Sequence, residues 1–138
     1  MEITVHSVIE ELDDAGLPAG EPEINIVTLP ATRRVRGGAE RISYTEEQEG
    51  GSIETAISVS SSGSVRIVRT GAVVWDASFS EGESCRTVYS VPPYSFDCTV
   101  TARRVTVQKD GEGLDLRLVY SMELGGGKKD VKMRISVK

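Results

Sequence analysis

Apolar and polar residues alternate along nearly the whole chain, the signature of half-buried strands. Ile3, Val5 and Ile9 share one parity, with Thr4, His6 and Glu10 on the other. "DDAGLPAGEP" (13–22) is turn chemistry, because glycine supplies unusual φ and proline blocks both helix and ladder. "EINIVTLPATRRV" then runs extended, with Pro30 marking an edge or a bulge. "VRGGAERISY" predicts a hairpin turning on Gly37-Gly38. "EEQEGG" makes the next turn, "IETAISVS" the next strand, and "SSSG" turns into "SVRIVRT", which puts Val65, Ile67 and Arg69 on one face. Gly71 breaks that strand before "AVVWDASF", and a short strand, "TVYSV", follows "SEGESCR".

The stretch "SVPPYSFDCTVTARRVTVQ" (90–108) departs from simple alternation. Phe96, Cys98, Val100 and Ala102 share one parity, whereas Val105 and Val107 fall on the other. A period of two changes parity only through an extra residue, so a β-bulge is predicted near Arg103-Arg104, inside a long strand from about 95 to 108. Pro92-Pro93 is read as a stiff, extended bend. The expectation is a hinge feeding the strand, with Phe96 capping the core. A partner-binding loop is the alternative, and joint exposure of Val91 and Tyr94 would be its mark. After the "KDGEG" turn, Leu114, Leu116, Leu118, Tyr120 and Met122 alternate cleanly. "GGGKKD" then leads into Val131, Met133, Ile135 and Val137.

These segments make about eight to ten strands, and helix is limited to one turn at Glu10–Asp14. The expected helix content is below about one-tenth, against roughly a third in a typical domain. Residues 1–138 read as a single all-β domain without internal repeats, most simply a single antiparallel up-and-down β-barrel that leaves no long unpaired edge. A two-sheet sandwich is the alternative.

Composition narrows the function classes. A hydrophobic content of 38% with 27% charged residues is ordinary for a globular domain. The net charge of −5 argues against a nucleic-acid partner, whose phosphates need a basic face. Arg33, Arg34, Arg36 and Arg41 do cluster, but Glu46, Glu47 and Glu49 follow at once, which reads as a solvated hairpin. No apolar run is long enough to span a bilayer. The start, "MEITVHSVIEELDD", is acidic and alternating, unlike a signal peptide, so a cytoplasmic location is expected. Cys85 and Cys98 have no metal spacing and are too few for a disulfide framework; Cys98 reads as a buried, inert thiol.

From Val65 onward, the string "VRIVRTG", "FSEGE", "YSVPPYSFDCTVTARRV", "YSMELGG" and "VKMRISV" resembles, in order and spacing, the YwiB-like family of small uncharacterised bacterial proteins, a domain of unknown function. "RRVRGGAERISYTEE" also looks like that family's hairpin ending in a tyrosine and an acidic pair. The resemblance runs over roughly 3–137. It implies a calycin-like (lipocalin-like) β-barrel and carries over no catalytic residue or ligand. The chain departs from the pattern at Arg33-Arg34, where an apolar or aromatic residue is expected, and in a longer first loop.

The residues offer little catalytic chemistry. His6 is the single histidine and lies on a polar strand face; no "GxSxG" elbow supplies a nucleophile for it. The carboxylates fall in turns, "DGEG" lacks the further oxygen ligands of a calcium loop, and "GGGKKD" joins strands where a phosphate cradle needs a helix. No cofactor and no metal is expected, and an enzyme ranks last. Arg69 is the sharpest candidate. It shares the inward parity with Tyr44 and Tyr120, and such an arginine can anchor the carboxylate of an amphipathic ligand in a barrel. The plainer reading has Arg69 reaching the rim to hydrate its head. If Arg69 faces inward, the ligand's tail is expected along Leu116, Leu118 and Ile135, and small inward residues Ser7, Thr28, Cys98 and Ala102 leave room. The leading class is therefore a non-enzymatic binding module for a small amphipathic molecule. The alternative is a packed-core interaction protein acting through its surface as a homodimer. A connected interior cavity above ~300 Å³ separates the two.

Overall fold

A computed structural model describes residues 1–138, the side chain of Asp110 excepted. The alternating segments form eleven strands: β1 (Glu2–Leu12), β2 (Glu23–Pro30), β3 (Thr32–Arg36), β4 (Ala39–Gln48), β5 (Gly51–Val59), β6 (Val65–Gly71), β7 (Trp75–Phe79), β8 (Ser84–Val91), β9 (Tyr94–Asp110), β10 (Gly113–Leu124) and β11 (Gly127–Val137). All pairings are antiparallel, and no helix forms among the described residues.

The expected single closed barrel gives way to two sheets, of order β2-β1-β11-β10-β9-β8 and β3-β4-β5-β6-β7. Proline is one cause. Pro30 ends β2, and the chain passes through Ala31 into β3 of the other sheet, leaving both strands at sheet edges. At the opposite seam, β7 and β8 belong to different sheets and are tied locally. Val74 and Ser90 exchange backbone hydrogen bonds of 2.8 and 2.9 Å, and the Thr87 hydroxyl donates to the Asp76 carbonyl at 2.6 Å. The break at Pro30 also raises the strand number above that read from the sequence.

The two sheets enclose one core, in which Ile3, Ile42, Ile57, Ile67, Phe79, Leu116 and Ile135 are fully buried. Phe79 meets Tyr120 edge-on with ring centres 4.9 Å apart, which joins the sheets through an aromatic contact. Thr28 is not an inward residue: it is exposed and shares a 3.1 Å hydroxyl contact with Thr4, while Val27 and Leu29 turn inward.

The predicted bulge is present. Val119 faces Arg104 and Tyr120 faces Ala102, so Arg103 is the inserted residue. Past it, Val105 and Val107 face Leu118 and Leu116 and pack against the core. The Val105 N–H donates to Glu81 Oε1 at 3.1 Å, and the Ala102 N–H to the Glu83 carbonyl at 3.0 Å, so the β7–β8 turn supports the bulge.

Phe96 does not cap the core; it is 43% exposed, with Tyr94 at 66% and Val91 at 43%. The reason is strand length. β10 ends at Leu124 opposite Cys98, so residues 94–97 pair with β8 alone and project beyond the core. Phe96 lies over Gly125 in the β10–β11 turn instead.

Arg33 also departs from the solvated hairpin read from its sequence. Its Nε and Nη2 donate to the buried Glu40 carboxylate at 3.0 and 2.8 Å, its Nη1 donates to the Glu112 carbonyl, and Lys109 Nζ stands 3.3 Å from Glu40. This clasp fastens the edge hairpin of one sheet to the β9–β10 turn of the other. Burial pushes the Glu40 carboxyl up, but hydrogen bonds and charge from Arg33 and Lys109 outweigh it and hold the group below its ordinary 4.5.

Two stability tests follow from these contacts. A carboxyl depressed in the fold contributes stability above its unfolded value and loses it as pH falls through the folded one. Urea unfolding should therefore find Glu40→Gln weaker than wild type by about 1–3 kcal/mol at pH 7, with the gap shrinking below pH 4.5. A gap independent of pH would refute the clasp. Separately, Gly71 has φ of 100°, and a Cβ there would run into the Ser52 carbonyl oxygen. Gly71→Ala should cost more than about 2 kcal/mol in the same assay, a cost far above an ordinary surface substitution.

Candidate functional site

Antiparallel register places directly opposed residues on one face. Tyr44 of β4 faces Thr55 of β5, Thr55 faces Arg69 of β6, and Arg69 faces Trp75 of β7. These four side chains form a row across the inner face of the five-stranded sheet. Tyr44, Thr55 and Trp75 are buried, at 6, 3 and 3% exposure.

Tyr44, Arg69 and Trp75 of this row line a cavity of about 480 Å³ between the sheets. Its opposite wall carries Tyr120 and Met122 of β10, Val131 and Met133 of β11, and Val5, Ser7 and Ile9 of β1. Exposed Glu23 and Gln48, with half-buried Glu46 and Lys129, line its outer part. Trp75 stands edge-on to Tyr89, with ring centres 5.8 Å apart, at the β7–β8 side.

The polar atoms of the row are short of partners. Thr55 Oγ1, Arg69 Nε and Trp75 Nε1 are buried and make no hydrogen bond to the described residues, and no other buried side-chain polar atom among them is in that condition. Burial pushes the Tyr44 hydroxyl's pKa up, while the neighbouring Arg69 charge and Thr55 pull it back without a well-formed bond to Thr55 Oγ1 or Arg69 Nε. Burial raises Tyr120 still further, again opposed by Arg69. Arg69 thus moderates, without reversing, the rise that burial imposes on both tyrosines.

The cavity brings together Arg69, Tyr44 and Tyr120, the residues singled out by parity. It excludes Leu116, Leu118 and Ile135, which are at most 1% exposed in the closed core. The apolar lining comes instead from Val5, Ile9, Val27, Ile53, Met122 and Val131. Thr55 and Trp75 escaped the sequence reading. Hairpin register held the signal, since counting back from the β4–β5 turn sets Thr55 against Tyr44.

His6 is exposed on the outer face between Ile26 and Arg134. Cys98 is buried and Cys85 half-buried, both as free thiols; burial raises the Cys98 thiol's pKa. No group of three or more metal-ligating His, Cys, Asp or Glu side chains gathers among the described residues, and no helix there is long and apolar enough to cross a membrane.

The family model for a domain of unknown function, DUF1934, matches residues 19–135. The chain belongs to the DUF1934 family. The crystal structure of the ywiB protein from Bacillus subtilis superposes with a TM-score of 0.77 at 23% identity, covering 99% of this chain and 92% of that one. Likeness at that identity shows a shared fold, which in this chain is all-β and antiparallel. Nothing among curated proteins matches the chain.

Proposed function

We propose that this DUF1934 protein is a non-enzymatic binding module that takes a small amphipathic anion between its sheets, with Arg69 as the anchor. On this reading the two sheets act as one calycin-like barrel, working in the cytoplasm. The observation that carries it is Arg69 Nε, buried without an acceptor and flanked in its row by two further unpartnered donors, Thr55 Oγ1 and Trp75 Nε1. Arg69 is half-buried, and a buried guanidinium N–H is costly unless an anion or another acceptor meets it, which a ligand carboxylate in the cavity would supply. The volume of about 480 Å³ lies within the range of small-molecule sites, roughly 300–1,000 Å³. Tyr44 and Tyr120 flank the head, and Ile53, Met122 and Val131 receive the tail.

The exposed hairpin tip favours a second reading, a homodimer formed through Val91, Tyr94 and Phe96. Sedimentation should then show a concentration-dependent dimer in wild type and monomer in Tyr94→Ser.

The decisive experiment titrates an environment-sensitive fatty-acid probe into wild type and Arg69→Met. Wild type should bind with saturation, and the variant at least about tenfold more weakly, the worth of a charge-assisted hydrogen bond. The variant's unfolding midpoint should equal or exceed that of wild type, because a half-buried charge whose buried Nε lacks an acceptor is gone. Equal affinities would remove Arg69 from the site, and no binding by wild type would overturn the proposal for fatty acids.

A further inference from the structure

The outer face of the five-stranded sheet carries a charge arrangement that the interior cavity does not explain. Arg34 of β3 stands directly opposite Arg41 of β4, and the same row continues through Ser58 of β5 and Arg66 of β6 to Ser78 of β7. Arg36, two residues along β3, shares the face of Arg34. These side chains border a shallow recess of about 940 Å³, together with the hydroxyl residues Ser60, Ser64 and Ser80.

Like charges directly opposed on adjacent strands, with Cβ atoms about 5 Å apart, are destabilising. Elsewhere an opposite charge offsets that cost: Arg117, opposite Arg134, shares Asp115 with it, and Asp130, opposite Glu10, is held by Arg103. Arg33 is held by Glu40, Arg66 by Asp76 with bonds of 2.9 and 2.6 Å, and Arg134 by Asp115. Arg34, Arg36 and Arg41 are exposed and form no ion pair among the described residues. Glu40 borders the recess but is committed to Arg33 and Lys109. The local balance is therefore strongly positive on a chain whose net charge is −5.

We propose that this recess binds the phosphoryl group of a small phosphorylated molecule, with Arg34 and Arg41 bridged by it and Arg36 and the serine hydroxyls completing the shell. The planar guanidinium fork matches phosphate oxygens bidentately, and one dianion between two opposed arginines turns a repulsive pair into two attractive ones. A nucleic-acid strand fits less well. The recess borders no aromatic side chain on which a base would stack, and the chain's overall negative charge repels an extended polyanion beyond the patch.

Calorimetric titration with sodium pyrophosphate at constant ionic strength tests this, on wild type, Arg41→Met, Arg34→Met and, as a control on the other sheet, Arg86→Met, an exposed arginine that borders neither cavity. Wild type and Arg86→Met should bind alike. Both recess variants should bind at least about tenfold more weakly. Without pyrophosphate, each recess variant should unfold at or above the wild-type temperature, because the opposed charges are gone. Circular dichroism confirms that each variant is folded, and either one suffices for the comparison. Equal binding by wild type and a folded recess variant would overturn the proposal. So would a wild-type response that sodium chloride reproduces, or tighter binding of a single-stranded oligonucleotide than of pyrophosphate. The interior site is read separately through the fatty-acid probe, so the two proposals fail independently.

Discussion

A strand shows alternate residues to alternate faces, so a strand that must bury both its halves in one core, on opposite parities, requires one inserted residue. In β9, 17 residues long, that residue is Arg103. Before it, Cys98, Val100 and Ala102 face inward between β8 and β10. After it, Val105, Val107 and Lys109 take over the inward parity, opposite Leu118, Leu116 and Leu114. The placement of Lys109 is the telling case. Without the shift its ammonium would point outward, and the buried Glu40 would keep Arg33 alone. One inserted residue thus completes both the apolar core and its charged fastening.

The two ends of the structure differ as a result. At one end the β9 extension, the Arg33–Glu40–Lys109 clasp and the Glu112 carbonyl join the sheets with directional bonds. At the other, the interior beside Tyr44, Arg69 and Trp75 is a cavity. Phe79 and Tyr120 form the floor between them. The three buried polar atoms without partners, Thr55 Oγ1, Arg69 Nε and Trp75 Nε1, belong to the row at that end.

Much of this was legible from alternation, because a period of two reports directly which side chains are buried. The strand sequence, the bulge and the shared inward parity of Arg69, Tyr44 and Tyr120 all came from that one signal. Parity says nothing about how far a ladder extends, however. Phe96 has the inward parity and is still exposed, because β10 ends at Leu124 before reaching it. Nor does parity say which edges meet. Pro30 was read as an edge or a bulge, but its consequence, a chain leaving one sheet for another, depends on pairings distant in sequence. Arg33 was misread for a related reason: the Glu112 carbonyl and Lys109, which give it a buried role, lie more than seventy residues away along the chain.

The outer part of the cavity carries Glu23 and Glu46 in front of a cationic interior, with Lys129 only partly offsetting them. For the proposed ligand this acidic collar works as a filter. A small hydrated anion meets repulsion at the entrance and gains only Arg69 beyond it. An anion with an apolar tail gains in addition the burial of that tail against Ile53, Met122 and Val131, at about 0.8 kcal/mol per methylene. Selectivity between the two would then arise from burial of the tail: the collar repels both alike and weakens compact anions to the point where Arg69 alone does not hold them.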